Sequence, residues 1–470
     1  MQPFPTPMSG GYAMSAETCI GYRMLMALTV SVLLMTGSAE ARGQQTDQIP
    51  GVSLGLVYAE SYLPALAVKP FSSTFGGVGL ASEVEAIVAQ DLRYSDRFEV
   101  MDSLPAGLIG DQLDYTLWDR LGAVWLVTGQ LESAGEDFVF AAELHDVVYG
   151  ELRESGRFRI PAQSDEDFRM VVHRVSDEIV RWATGEQGMA ASRIAFTMTD
   201  SEGNKDVHLI DSDGLNLTRL TDFGSLLESP SWSPDGRKVA YTSWRSGYPR
   251  IYEMNVATGS ERMLAAVRGA GDYITPAYHP DGRTLAFSVL GSDARSGIFT
   301  YDFERDCCLA YLSGGPWYDF SPTYSPDGRW IAFNTQRFGD AVPQVMLMPS
   351  EGGSAETLSP YEYGSGGYFT APDWSPNSDL VAFHGRIERG RYHVLVASLE
   401  DDGRVLRQLT TEGNNEDPSW APDGRHLVFV GERSWGYGLF VVDVGTGRIR
   451  SLIAGRRVGV PDWSPALQAR

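Results

Sequence analysis

One block recurs about every 46 residues through the C-terminal part of this 470-residue chain. It reads S-P-S-W-S-P-D-G-R-K-V-A-Y at Ser229–Tyr241, T-P-A-Y-H-P-D-G-R-T-L-A-F at Thr275–Phe287 and S-P-T-Y-S-P-D-G-R-W-I-A-F at Ser321–Phe333. It continues as A-P-D-W-S-P-N-S-D-L-V-A-F at Ala371–Phe383 and D-P-S-W-A-P-D-G-R-H-L-V-F at Asp417–Phe429, with a truncated copy, V-P-D-W-S-P, at Val460–Pro465. A unit of this length, with short apolar strands separated by Pro/Gly turns, buries its faces only by stacking on copies of itself, which predicts a radial β-propeller.

Counting the blades needs both halves of the motif. The strand after the turn, x-[IVL]-A-[FY] in most copies, occurs six times: Ile194–Phe196, Val239–Tyr241, Leu285–Phe287, Ile331–Phe333, Val381–Phe383 and Leu427–Phe429. The P-x-[WY] that precedes the x-P of each turn also occurs six times but out of phase, because S-R-I-A-F has no P-x-W before it and V-P-D-W-S-P has no strands after it. The two orphans complete one blade, so the expectation is six blades over 192–470, closed by pairing the last strand with the first unit and leaving no free central edge.

Ahead of the propeller, residues 42–186 read as an α/β domain. Strand-like stretches fall at Leu66–Phe71, Val124–Gly129, Phe138–Leu144 and Leu152–Ile160, and helices are expected at about Ser82–Leu92 and Asp114–Leu121. A third helix carries Phe168, Val171, Val172, Val175, Ile179 and Trp182 at helical spacing, with Ser164 as its expected N-cap and Gly185 as its stop. Gly185–Ala191 reads as the linker. Residues 1–41 read as a signal peptide: Arg23, the apolar run Met24–Met35 and then Ala39-Glu40-Ala41, with cleavage after Ala41. Export to the periplasm is therefore expected, without direct membrane insertion.

The formal net charge of −23 excludes an electrostatic footprint for nucleic acid. Apart from Cys19 in the signal, the cysteines are the neighbours Cys307 and Cys308, read as two small apolar residues rather than a strained vicinal disulfide. Catalytic motifs are offered weakly. The G-x-S-x-G at Gly51–Gly55 lacks a strand before it and a helix after it. The residues after the last W-S-P, Ala466–Arg470, are expected to leave no room for a hydrolase domain. Gly77-Val78-Gly79-Leu80-Ala81 reads as a flexible βα loop, Asp211-Ser212-Asp213-Gly214 as the turn after the third strand of the closing blade, and the dispersed histidines show no zinc spacing. No catalytic residue, cofactor or metal is expected.

Topology places the partner site. In an up-and-down blade the connections into the inner strand and those between the second and third strands share one face, and the S-P-D-G turns lie on the other. The first face is variable and rich in aromatic and Arg residues, the types enriched at interface hot spots. Trp244, Arg245, Arg337 and Arg386 come from its loops, and Tyr273, Trp317, Tyr318, Phe320, Tyr368 and Glu416 from the approaches to the inner strands. About half of the rings are expected to pack between blades. Arg425, after a P-D-G turn on the opposite face, is expected to be a bystander.

Several local matches carry a family resemblance. Ile87–Phe98 (I-V-A-Q-D-L-R-Y-S-D-R-F) is similar to I-V-A-x-D-L-R-x-S-G-x-F, Trp118–Gly129 to W-x-x-L-G-x-D-x-x-V-x-G, and Arg193–Phe196 to R-I-A-Y. Together with the signal peptide and the P-x-W-S-P-D-G blades, they resemble the TolB family of the Tol–Pal cell-envelope system over about 52–467. The resemblance implies a non-enzymatic, monomeric periplasmic adaptor that serves envelope integrity and division. It implies a propeller mouth that binds a Pal-like lipoprotein and an N-terminal segment that binds a TolA-like inner-membrane protein. That segment maps to about Val52–Leu63 and includes Val52, Leu54, Leu56, Tyr58 and Tyr62. Two departures are His279 for Ser and Asn377-Ser378 for Asp-Gly in the turns, and this N-terminal segment is more apolar than the family's. The alternative reading is a ligand sensor or peptidase-related enzyme using the central channel.

Overall fold

The computed structural model describes residues 53–54 and 62–468, apart from 103–112, 265–270, 292–295, 339–341, 361–366, 387–389 and 400–404. The signal peptide, its cleavage site, Val52, Leu56 and Tyr58 lie outside the described residues. Ser53–Leu54 forms a short strand parallel to Val405–Leu406, on the outer edge of the fourth blade.

The α/β part is a mixed sheet in the order Glu99–Met101, Ala65–Val68, Trp125–Ala134, Asp137–Asp146, Glu151–Ile160, with Ser72–Ser73 beside Trp125–Ala134. Helices α1 (Val78–Tyr94) and α3 (Phe168–Thr184) bury one stripe each in the core beside this sheet: Val84, Ile87, Val88 and Leu92 from α1, and Val172, Val175 and Ile179 from α3. Helix α1 is longer than its apolar stripe: Gly77 is its N-cap and Val78–Ala81 form its first turn, a correction to the loop expected there. The short α2 (Tyr115–Arg120) is capped by the Asp114 carboxylate, which accepts from Thr116 N–H. Ser164 is not the cap of α3. Asp167 holds that position and makes no side-chain capping bond. Gly185 ends α3 in the left-handed conformation expected of a C-terminal glycine (φ 78°).

Six four-stranded blades follow. The closing blade takes its inner strand, Val458–Trp463, from the C-terminal end, and this strand pairs antiparallel with Arg193–Thr199. Ser464 locks the junction from both sides: its N–H donates to Arg193 O (2.8 Å), and its Oγ accepts from Arg193 N–H (2.9 Å).

Every inner strand carries the same irregularity. The residue before the first proline (Ser229, Thr275, Ser321, Ala371, Asp417 and Val460) has φ between 43° and 53°, and the pairing register shifts there. Proline has no N–H for the ladder, so the strand bulges where it sits. Beyond the bulge the chain hands a bond to the next blade. Asp373 accepts Trp420 N–H (2.7 Å), Ser419 accepts Trp463 N–H (3.0 Å) and Asp462 accepts Trp232 N–H (2.6 Å). The two turn departures also reach across: the His279 ring packs edge-on against Tyr324, and Asn377 Nδ2 donates to Asp423 O (2.8 Å).

Cys307 and Cys308 are disulfide-bonded, a correction to the unpaired reading. Adjacency in the outer strand Cys307–Tyr311 brings the sulfurs together whatever the hydropathy of the pair. Alkylation of unfolded protein followed by intact-mass measurement is expected to find both thiols blocked only after reduction. A closed loop this short contributes about 1 kcal/mol in the chain-entropy picture, so reduction should leave the propeller folded.

Candidate functional site: the propeller mouth and the seam behind it

The connections between second and third strands do share a face with the approaches to the inner strands. Trp244 N–H donates to Leu226 O, and Gln336 N–H donates to Tyr318 O. On this face Trp317 and Tyr318 are 38% and 36% exposed, and Tyr248 and Trp435 stand out further. Trp244 and Phe320 are half-buried.

The arginines of the mouth are held by neighbours. The Arg245 guanidinium lies between the rings of Phe223 (4.2 Å) and Tyr252 (3.8 Å) and pairs with Glu261 (2.7 Å). Arg337 reaches the buried Asp319 carboxylate at 2.8 Å. Arg386 stacks over Tyr368 and Tyr392, which meet edge to face, and His384 packs on Tyr392. Glu416 is half-buried, and desolvation raises its carboxyl pKa. Burial pushes His384 down to about 4, leaving a neutral ring whose Nδ1 accepts Asp417 N–H (2.9 Å).

Tyr273 is the correction in this set. It is 3% exposed, packed edge-on against Phe287 with Arg250 over its ring, and belongs to the core of the second blade. Phe223, Tyr392, His384 and Asp319 went unseen in the sequence, because their mouth neighbours come from other strands or other blades. In the N-terminal segment, Leu54 is placed by its backbone strand alone, and Tyr62 is 81% exposed.

Behind the mouth runs a central channel of about 520 Å³, walled by both prolines of each repeat. Among the described residues, Asp373, Asp417 and Asp462 are its carboxylates, and its wall holds no Lys, Arg or His. Burial pushes Asp373 and Asp417 up to about 6 and raises Asp462, with Asp373 adding to the rise at Asp462.

The turn face of the closing and fifth blades meets the α/β domain. Arg425 is no bystander: its Nε and Nη2 grip the buried Asp443 carboxylate (2.6 and 2.9 Å), and Nη2 also donates to Asp96 O (2.8 Å). The segment Ile87–Phe98 supplies most of the other half of the seam. Tyr94 stacks under Arg450 across the seam (4.2 Å), while on its own side Asp91 accepts from His173 and Arg97 pairs with Glu186. The linker is pinned, since both oxygens of the Asp177 carboxylate accept linker N–H groups, Ala190 on one and Ala191 on the other (2.8 Å each). Asp91, His173 and Asp213 gather their polar atoms within 4.8 Å. With Asp91 hydrogen-bonded to His173 at 2.8 Å and Arg169 paired to Asp213, the group is a salt-bridge cluster rather than a ligand set.

An α/β domain fixed to the turn side of a strand-closed six-bladed propeller, with an aromatic and Arg-bearing mouth opposite, defines a class of two-part propeller proteins. A family model described as the TolB beta propeller domain matches residues 180–467, and one described as the TolB amino-terminal domain matches residues 59–153. The chain belongs to the TolB family. Among its relatives, the Tol-Pal system protein TolB of Xanthomonas oryzae pv. oryzae is 31% identical over 257 residues, 53% of this chain and 55% of its own length. That of Methylococcus capsulatus is 31% identical over 252 residues, 52% of this chain and 56% of its own length. The chain thus spans about half the length of the curated relatives it matches. The crystal structure of TolB from Acinetobacter baumannii superposes with a TM-score of 0.74 at 24% identity, covering 86% of this chain and 97% of that one, a likeness of fold.

Proposed function

We propose that this chain is a non-enzymatic periplasmic adaptor of the Tol–Pal type. It binds a Pal-like lipoprotein at the propeller mouth and a TolA-like inner-membrane protein through the segment Val52–Leu63, and so serves envelope integrity and outer-membrane constriction at division. The observation that carries this reading is the mouth: exposed Trp317 and Tyr318 beside the Arg337–Asp319 pair, on the face away from the α/β domain. Rings anchored on such a rim bury apolar area at little entropic cost, which is why aromatics dominate interface energetics.

In the full chain, Trp317→Ala with Tyr318→Ala is expected to weaken binding of a purified Pal-like lipoprotein domain by about 30-fold or more, equivalent to about 2 kcal/mol. Both side chains are exposed, so the melting temperature should barely move. Calorimetry giving equal affinity for variant and parent would move the site off this face. A second reading, a ligand sensor working through the central channel, is favoured by the three carboxylates in its wall.

A further inference from the structure

The seam between the α/β domain and the propeller contains two fully buried histidines, and each sits among carboxylates drawn from both sides. His426, on the turn of the fifth blade, has Asp423 Oδ2 at 2.7 Å from Nδ1, and Asp96 Oδ2 of the α/β domain at 3.4 Å from Nε2. With both ring nitrogens facing carboxylates, only the imidazolium can donate to both. The other charged groups there are Asp443 and Arg425, Arg448 of the neighbouring turn (3.6 Å from Asp96), and Glu99 beyond it (3.8 Å from Arg448). Four carboxylates (Asp423, Asp443, Asp96 and Glu99) face two guanidiniums, and the protonated ring is the third cation.

We propose that His426 is a proton-operated latch: its imidazolium ties Asp423 of the propeller to Asp96 of the α/β domain, and loss of that proton loosens the seam. His173 of α3 is a looser counterpart on the other side, with only one ring nitrogen hydrogen-bonded. Its Nδ1 bonds Asp91 of α1 at 2.8 Å, and its Nε2 points at Asp213 of the closing blade, 4.0 Å away. Asp211, Arg193, Arg169, Arg450 and Asp177 complete the charges around it.

The direction follows from linkage. Burial opposes charge on His426, but Asp423, Asp96 and Asp443 outweigh it and hold the group at about 9. Burial likewise opposes charge on His173, and Asp91, Asp213 and Asp211 hold it at about 8. Both lie above the ordinary histidine value of about 6.5, so their stabilisation is complete below that value and is lost as pH rises through about 8 and then 9. Asp177 adds little above neutrality: burial pushes it up to about 7 against the Ala191 and Ala190 N–H groups, so the stability its ionisation costs is lost between the ordinary carboxylate range and about 7. When the domains part His426 keeps Asp423, loses Asp96 and regains water; the latch requires that the lost Asp96 pairing outweigh the relieved burial, and on that footing each histidine should change the opening equilibrium by about tenfold. The seam is closed at neutral pH and loosens under alkaline conditions. This rests on the domain contact alone and stands or falls apart from the mouth.

The test is hydrogen exchange read by mass spectrometry on the full chain from pH 7 to pH 10, with labelling times scaled to intrinsic rates. Protection at 94–98 and 185–192 should fall at least about tenfold with a midpoint near 9, while the first three blades stay protected. His426→Gln should show the lowered protection already at pH 7 and lose most of the step. Asp96→Asn keeps both domains' own contacts to His426 and Asp423, removes only the charge across the seam, and should shift the midpoint down if His426→Gln fails to fold. Unchanged protection in the parent chain, loss shared by all blades, or the same step and midpoint in a folded variant would overturn the latch.

Discussion

A chain ending at Gly459 is expected to lose the closed ring and aggregate. The missing residues include most of the inner strand of the closing blade, with Trp463 only 5% exposed and its indole N–H donating to Ser192 Oγ at 2.7 Å. They also include the Asp462 carboxylate that holds the first blade through Trp232 N–H. Losing one buried Trp costs about 3–5 kcal/mol. Adding the ladder bonds to Arg193–Thr199 brings the total close to the entire stability of a typical domain, about 5–15 kcal/mol. The free strand edges then offer a template for pairing between chains. Size-exclusion chromatography with light scattering, beside thermal unfolding, checks this. A truncated chain with the parent's size and melting temperature would contradict closure by the last strand.

Arg425→Ala is expected to destabilise the protein by about 3 kcal/mol or more, because it leaves the Asp443 carboxylate buried without its partner. The matched control is Arg329, the same position of the same turn in the third blade. Its side chain is 82% exposed, and the carboxylate beside it, Asp327 of its own turn, is 3.6 Å away. Arg329→Ala should change stability by about 0.5 kcal/mol or less. Urea unfolding of both variants gives the comparison. Equal, small effects would mean that the Arg425 contacts contribute nothing to holding the seam.

These two arginines show how far the repeat could be followed. The motif P-D-G-R describes both, preceded by Ser325 in one and Ala421 in the other, and in each the Asp accepts the Arg backbone N–H within the turn. Neither copy of the turn says by itself which arginine meets another domain. The difference is that the fifth blade's turn lies under Asp96, 329 positions earlier in the chain. Tyr273 and Trp317 likewise read alike as aromatics leading into an inner strand, yet one is core and the other rim. Ring orientation depends on the neighbouring blade, which a single repeat does not encode.

The sequence by itself determined the blade number, the out-of-phase closure, the turn chemistry and the apolar stripes of α1 and α3, because each is a local or periodic property. Period-2 and period-3.6 patterns and Pro/Gly turn signals act within a few residues, and a strict repeat multiplies them. The tertiary structure alone decided which turns lie under the α/β domain, where His173 and His426 find their carboxylates, and which aromatics of the mouth stay exposed. Those outcomes depend on charges and surfaces brought together from distant parts of the chain, and burial sets the strength of each such contact only once the fold has excluded water from it.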